Sequence, residues 1–353
     1  MKLQRYIFCG LLVLSSVFSL NAQSMDSRIE LLSATAGSAY LAPVVHAFGA
    51  GMNGGWLGAP PSAKVLGFDL QLGVVGMGTK FADNTETFTA KGKYRFNETQ
   101  ALALAKQVTS VPAVQTEIVN KIMQQDIDVV ISGPTIRGSK TDNVKISSGA
   151  ITVTTSYGSK TIPASVTNLT DVHGLFGNDV TMMPSASPQL KIGTVFGTQA
   201  IIRYLPSYDI KDAGKFKFFG FGLQHNPGLW FSAPLPVDIS VGFLTQKMEL
   251  GTIVKFNALS YGVNVGKKFG WGLLSVTPYA GFILEKSKLE VNYTDTLQTS
   301  AGKEITNINF ALDGENTSKV NVGLQIHILA LDIIAEYNLG KYNTLCGTVA
   351  FSF

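Results

Sequence analysis

The chain of 353 residues is poor in charge, in cysteine, in histidine and in long apolar runs. Charged residues make up 15%, against roughly a quarter in a typical soluble domain, so an ordinary water-soluble globule fits badly. Hydrophobic residues reach 45%, too many for a disordered chain. Beyond the N-terminus no apolar stretch attains the ~18 uninterrupted residues of a spanning helix, which excludes a helical membrane bundle. Glycine and proline are frequent but scattered, without a collagen period. What remains is a β-rich protein whose apolar surface is dispersed over alternate residues.

The two cysteines are Cys9 and Cys346. Residues 1–22 read as a secretory signal peptide: Lys2 and Arg5, an apolar run from Tyr6 to Leu20, then Asn21-Ala22-Gln23 with cleavage after Ala22. Gly10, Ser15 and Ser16 interrupt the run, which is short for a membrane anchor. Cleavage removes Cys9 and leaves Cys346 without an intrachain partner. Four isolated histidines (His46, His173, His225, His327) and no mature cysteine pair give no metal-ligand spacing, so neither metal nor cofactor is expected. No Gly-x-Ser-x-Gly elbow occurs, and a non-enzymatic chain is expected. No basic, aromatic-interleaved stretch points to nucleic acid.

The patterning is plainest near the C-terminus. Val320, Val322, Leu324, Ile326 and Ile328 alternate with Asn321, Gly323, Gln325 and His327. Leu331 to Leu339 repeats the period opposite Asp332, Glu336 and Asn338, with Ile334 the one mismatch. Leu345 to Phe353 closes the chain on aromatic Phe351 and Phe353. Two earlier runs match: Leu66 to Val74 opposite Asp69 and Gln71, and Phe88 to Phe96 opposite Lys91, Lys93 and Arg95. Weaker strands lie between Leu190 and Leu312, and the Phe216-Phe218-Phe219-Phe221 parity slip predicts a β-bulge.

A sandwich also alternates apolar and polar faces. The ~10-residue runs, terminal aromatics, short turns and low charge favour strands tilted across an outer membrane. The expected fold is all-β transmembrane: an antiparallel outer-membrane β-barrel of about 12 strands (10 to 14), with an N-terminal helical plug and an α/β insertion. The barrel spans 65–353, lipid on the apolar parity and a lumen on the polar one. Polar lumen or ligand candidates are Asp69, Gln71, Lys91, Lys93, Arg95, Arg203, Asn321, Gln325, His327, Asp332, Glu336 and Asn338.

Two segments fall outside the wall. Residues 23–64 carry a helical stripe of Leu41, Val45, Phe48 and Met52, with Pro43 near the helix start. This is a cap on the barrel floor or a plug in the lumen; Tyr40, Phe48 and Trp56 need burial, which favours the plug. Residues 97–187 form a polar insertion after the second strand, with helices at 98–106 and 114–125. A first strand rising from the periplasm and a second descending would put this insertion on the periplasmic side, whereas long loops are normally extracellular.

Tyr40-Leu41-Ala42-Pro43, Met52-Asn53-Gly54-Gly55-Trp56, Leu66-Gly67-Phe68-Asp69, Ile131-Ser132-Gly133-Pro134-Thr135, Pro188-Gln189-Leu190, Gly197-Thr198-Gln199 and Arg203-Tyr204-Leu205-Pro206 span nearly the whole mature chain. With them the sequence resembles an uncharacterised family of outer-membrane β-barrels from Bacteroidetes-type bacteria. In hatch-plus-barrel architecture it is more distantly similar to the long-chain fatty acid transporter family, with Ala59-Pro60-Pro61 where that family carries Asn-Pro-Ala. Phe351 and Phe353 resemble the signal read by the barrel assembly machinery. The resemblance implies the outer membrane of a Gram-negative bacterium, with lipid and that machinery as partners.

Two functions follow. One is passive or gated passage, or binding, of a small molecule, hydrophobic or polar, through a plugged lumen. The mixed signs of the lumen candidates argue against a strongly ion-selective pore. The alternative is a non-transport, structural barrel that docks a periplasmic or surface protein through the insertion.

Overall fold

The computed structural model describes residues 27–65, 68–94, 96, 98–169, 172–193, 196–210, 214–271, 273–299 and 302–353. The expected signal peptide (1–22), Leu66, Gly67 and Arg95 lie outside the described residues. The chain divides into two compact units. Pro43–Asp83, Thr181–Val291 and Ala311–Phe353 form one; the described residues up to Ala42, with Asn84–Val180 and Asn292–Phe310, form the other.

Helix α1 (Ser27–Met52) precedes β1 (Asp69–Lys80), β2 (Thr87–Tyr94), α2 (Glu98–Val108) and α3 (Pro112–Ile122). Then come β3 (Ile127–Pro134), β4 (Val144–Ser148), β5 (Ile151–Thr155), β6 (Gly158–Ile162) and β7 (Ser165–Leu169). The chain continues with β8 (Met182–Gly193), β9 (Thr198–Ile210), β10 (Gly214–His225), β11 (Asp238–Leu250), β12 (Val254–Gly266) and β13 (Phe269–Trp271). It ends with β14 (Leu274–Thr299), β15 (Gly302–Asp313), β16 (Ser318–Ile328), β17 (Leu331–Gly340) and β18 (Thr344–Ser352).

Ten strands close an antiparallel barrel in the order β1, β8, β9, β10, β11, β12, β14, β16, β17, β18. β12 pairs with β14 from Val254↔Val291 to Gly266↔Tyr279, and β18 returns to β1 from Gln71↔Ser352 to Thr79↔Thr344. Every wall strand therefore has two neighbours, and no open edge is left to satisfy. Ten is an even number within the expected 10 to 14.

Alternation turns the barrel inside out relative to a soluble protein. Leu72, Val74, Phe243, Tyr261, Val322 and Leu345 are exposed on the outer wall, while Arg203, Asn264, Asn321 and Asn338 are fully buried. Ile334, the mismatched residue of its run, points inward and is buried. The expected bulge also exists, but its extra residue is on the neighbouring strand. Tyr208 pairs with Phe216 and Leu205 with Phe218, so Pro206 and Ser207 oppose Lys217 alone. Phe218 faces inward and Phe219 outward without any slip in β10.

The second unit has its own architecture. β2, β3, β4 and β7 form a four-stranded sheet, and β5 and β6 a hairpin. Ala101, Ala105, Val114, Ile118 and Ile122 of α2 and α3 pack with Ile151, Val153 and Ile162 of the hairpin. Arg137 and Glu86 form an ion pair at 2.7 Å.

Two sequence expectations are corrected here. The run from Phe88 to Phe96 is not the second barrel strand: β2 pairs with β3, and β1 pairs directly with β8. A period of two demands an apolar layer on one side, and a small packed sheet supplies it as well as lipid does. The insertion consequently occupies Asn84–Val180 rather than 97–187 and leaves the wall after one strand, not two. The chain leaves the wall for it at Lys80, the β1 end opposite Asp69. Pro43 lies inside α1 rather than near its start.

Candidate functional site

The lumen is occupied by residues 43–61 of the same unit. Phe48 meets Phe256, near the start of β12, edge to face at 5.0 Å. Nine residues beyond Met52, the Pro61 carbonyl accepts from Asn226 Nδ2 at 2.7 Å, just past the far end of β10. The segment thus enters at the mouth where β1 ends and leaves where β1 begins. After Met52 the helix stops, and Asn53-Gly54-Gly55 turns with Gly55 at φ 65°. A side chain at Gly55 would be strained and would run into Val75 Cγ2 at 2.7 Å.

Leaving the helix frees backbone carbonyls inside a water-poor lumen, and each needs a donor. The wall supplies them. Arg203 Nη1 donates to Met52 O at 3.1 Å and Nη2 to Gly54 O at 2.8 Å, while Nε donates to Gln189 Oε1. Lys319 Nζ donates to Asn53 O at 2.6 Å, and Lys191 Nζ to Leu57 O at 2.9 Å. Asn264 Nδ2 donates to Gly58 O at 2.7 Å. In the reverse sense Gly55 N donates to Glu336 Oε1 at 3.1 Å.

The buried carboxylates of Glu285 and Glu336 are held in turn by neighbouring donors. Lys319 sits 2.7 Å from Glu285 with both side chains 1% exposed, and Asn316 Nδ2 also donates to Glu285. Tyr279 OH and Asn338 Nδ2 donate to Glu336, at 3.0 and 2.8 Å. Trp56 and Leu57 of this segment join Ile201, Leu244 and Ile283 of the wall in one apolar cluster. A second cluster places Val75 and Met77 against Cys346, the free cysteine among the described residues. At the entry mouth, outside the strands, hydrogen bonds from Lys341 and Tyr342 hold the Glu315 carboxyl below its ordinary range.

At the exit mouth a vestibule of about 350 Å³ opens, lined by Asp69, Gln71, Lys191, Gln325, His327 and Asp332 among others. Asp332 is its organising group: Gln71 Nε2 donates at 2.6 Å, Ser352 Oγ donates, and His327 Nδ1 lies 2.9 Å away. Asp69 is exposed beside this cluster.

Most of the expected lumen residues therefore fall into two groups. Arg203, Asn321, Glu336 and Asn338 surround the plug, and Asp69, Gln71, Gln325, His327 and Asp332 line the vestibule. Lys91 and Lys93 are corrected: both are exposed on β2, outside the barrel, and Lys93 lies 3.8 Å from Asp128. Of the plug residues, Val45, Met52 and Trp56 are buried and Phe48 half-buried in the barrel unit. Tyr40 and Leu41 belong to the other unit, a correction; Tyr40 OH donates to His173 O and its ring packs on Phe88.

A family model described as "Family of unknown function (DUF6588)" matches residues 1–353. The chain belongs to DUF6588. No curated protein matches it. Among solved structures it is similar to a loop-L8 deletion mutant of OmpT, an outer membrane protein of Vibrio cholerae. Identity is 10%, covering 83% of this chain and 100% of that one, with a TM-score of 0.23. It is also similar to the β domain of the Bordetella autotransporter BrkA, at 8% identity, 80% and 99% coverage and a TM-score of 0.19. OccK8 (OprE) of Pseudomonas aeruginosa matches at 7% identity, 82% and 99% coverage and a TM-score of 0.12.

For this DUF6588 barrel, sequence reasoning missed Lys191, Lys319, Glu285, Asn264 and Asn226. Lys191 was within reach, because it shares the inward parity of Gln189 in the run Pro188 to Gly193. Lys319 and Glu285 stand at the ends of apolar runs, where parity alone does not separate a lumen residue from a rim residue. Phe351 and Phe353 are exposed on the outer face of the closing strand, and Phe353 exchanges backbone hydrogen bonds with Leu70.

Proposed function

We propose that this protein is an outer-membrane β-barrel that binds a small polar molecule in its vestibule and admits it when residues 53–61 move aside. The carrying observation is how the plug is held: by side-chain donors on its backbone carbonyls, with no covalent tie. Hydrogen bonds from charged donors are worth roughly 1.5–3 kcal/mol each, enough to close the lumen and few enough to release part of it. The apolar outer wall supports placement in lipid, and secretion and insertion through the terminal Phe351 and Phe353 belong to the same reading. The charged vestibule lining favours a polar solute over the fatty-acid-like cargo that a hatch-plus-barrel resemblance suggests.

Gly54 offers the test. A Cβ built there would lie 2.7 Å from Cys346 Sγ, so a cysteine at 54 can bond that sulfur after a shift of a few tenths of an ångström. In a Cys9→Ser background, Gly54→Cys should form a staple to Cys346. Liposome swelling with small sugars and amino acids should stop in the oxidised protein and return on reduction. Equal flux in both states rules out gating by this segment.

A second reading has its own observation: Asn84–Val180 packs around a separate apolar core, more structure than a turn needs. It serves a barrel that docks a periplasmic or surface protein. No flux in either redox state, with partner capture lost on deleting 84–180, selects that function.

A further inference from the structure

The outer wall carries a second feature that solute passage does not use. Beside the bulge at Pro206 and Ser207, a groove of about 380 Å³ runs over β9, β10 and β11. The outward side chains on its floor are Tyr204 and Phe219, and its rim carries Lys217, Lys247 and Glu249. Tyr204 and Phe219 are about half exposed on the apolar outer face. Lys217 and Lys247 both reach Glu249, at 3.3 and 2.6 Å, yet remain 58% and 56% exposed. Two ammonium groups share one carboxylate, so the rim retains a positive charge and free donor capacity.

The surroundings extend that charge. In register, Glu249 faces Lys255 and Lys255 faces Glu290, while Lys247 faces Asn257 and Asn257 faces Lys288. An apolar floor beneath an ammonium rim matches an amphiphile with acyl chains below and a phosphate above. Lysine stems can lie along the chains while their heads reach the phosphate.

The rim lies near the start of β10 and the end of β11, at the end of the barrel wall where the chain leaves β1 at Lys80 and re-enters the wall a hundred residues later at Met182 of β8. Long excursions of such barrels are extracellular, which puts the rim at the outer leaflet. We infer that the groove formed by Tyr204, Phe219, Lys217 and Lys247 binds the phosphorylated glycolipid of that leaflet, lipid A, through one of its phosphates. This rests on the outer-membrane reading proposed above.

The experiment titrates the full chain, folded in neutral detergent, with bis-phosphorylated lipid A and counts bound lipid by native mass spectrometry. One lipid should be retained, with affinity about tenfold weaker for Lys217→Ala/Lys247→Ala, the loss of roughly one charged contact. Lys217→Arg/Lys247→Arg should keep it. Lys91→Ala/Lys145→Ala, with the same charge change on the other unit, should bind as the parent does. Dephosphorylated lipid A should bind at least tenfold more weakly, and millimolar inorganic phosphate should not displace the lipid. Equal affinity for the alanine pair or for the dephosphorylated lipid, displacement by free phosphate, or equally tight binding of phosphatidylglycerol overturns the inference. Insertion of the variants into vesicles is measured alongside: loss of lipid A binding with insertion intact leaves the membrane reading standing, and failure of the parent to insert strikes that reading itself.

Discussion

The guanidinium of Arg203 lies 4.0 Å above the Trp56 ring while donating to the carbonyl oxygens of Met52 and Gly54. One wall side chain thus holds both the ring and the backbone of the plug. A lysine can offer the charge without the planar fork or the stacking.

Arg203→Lys should therefore loosen the plug while the barrel stays folded. Losing one charged hydrogen bond and much of the cation–π contact costs about 2 kcal/mol, roughly thirtyfold in the opening equilibrium. Cys346 is buried among Val75 and Met77 with Gly54 and Gly55 beside it, so its thiol reports opening. Its labelling by a small maleimide should quicken by that order in Arg203→Lys and further in Arg203→Ala. Unchanged labelling would mean that Arg203 does not hold the plug.

Lys319 and Glu285 form a pair buried on both sides, with Lys319 also on the Asn53 carbonyl and Glu285 also holding Asn316. Removing one charge strands the other where water cannot reach it. Lys319→Met should destabilise the barrel by about 3–5 kcal/mol, and adding Glu285→Gln should recover part of that. Denaturant titration of the four proteins in a double-mutant cycle gives the coupling; a value near zero would show that the pair is solvated.

Gly220 points into the lumen beneath Trp56, and a Cβ there would stand 2.6 Å from Trp56 Cη2 and 3.2 Å from Gln246 Cβ. The absent side chain is what lets the indole sit against the wall. Gly220→Ala should cost about 1–3 kcal/mol through overpacking, and Gly220→Val should displace the indole outright. A red-shifted, quencher-accessible component of tryptophan emission, absent from Gly220→Val carrying Trp56→Phe, checks the assignment.

The wall was legible because two-residue alternation is a strong signal wherever one face must be polar. Val320 to Ile328 could be sorted residue by residue. Lys91 and Lys93 were misplaced because the same alternation backs a soluble sheet, and nothing within β2 names the layer it packs on. Tyr40 and Leu41 continue the stripe of Val45 and Met52 on one helix, but helical period states which side is buried and not against which unit. The plug's backbone carbonyls have no sequence signature at all. Their partners Arg203, Lys191 and Lys319 become recognisable as a set only when distant strands are brought around one segment.

Val322 sits outward on β16, paired with Tyr337 and two residues from Leu324, and its side chain is half exposed. In water an arginine there is harmless, because the site already faces solvent and leaves no cavity or broken bond. In hydrocarbon the same change desolvates a charge, at about 2–4 kcal/mol near the bilayer midplane and about 0–1 near the interfaces. Val322→Arg should therefore lower folding stability by that larger amount in phospholipid vesicles. Lys255→Arg, close to the barrel rim, should stay within about 0.5 kcal/mol of the parent. Reversible denaturant titrations in vesicles read both. A neutral Val322→Arg would take the outer face out of the lipid, and with it the passage reading, because a barrel that does not span has no second compartment to reach.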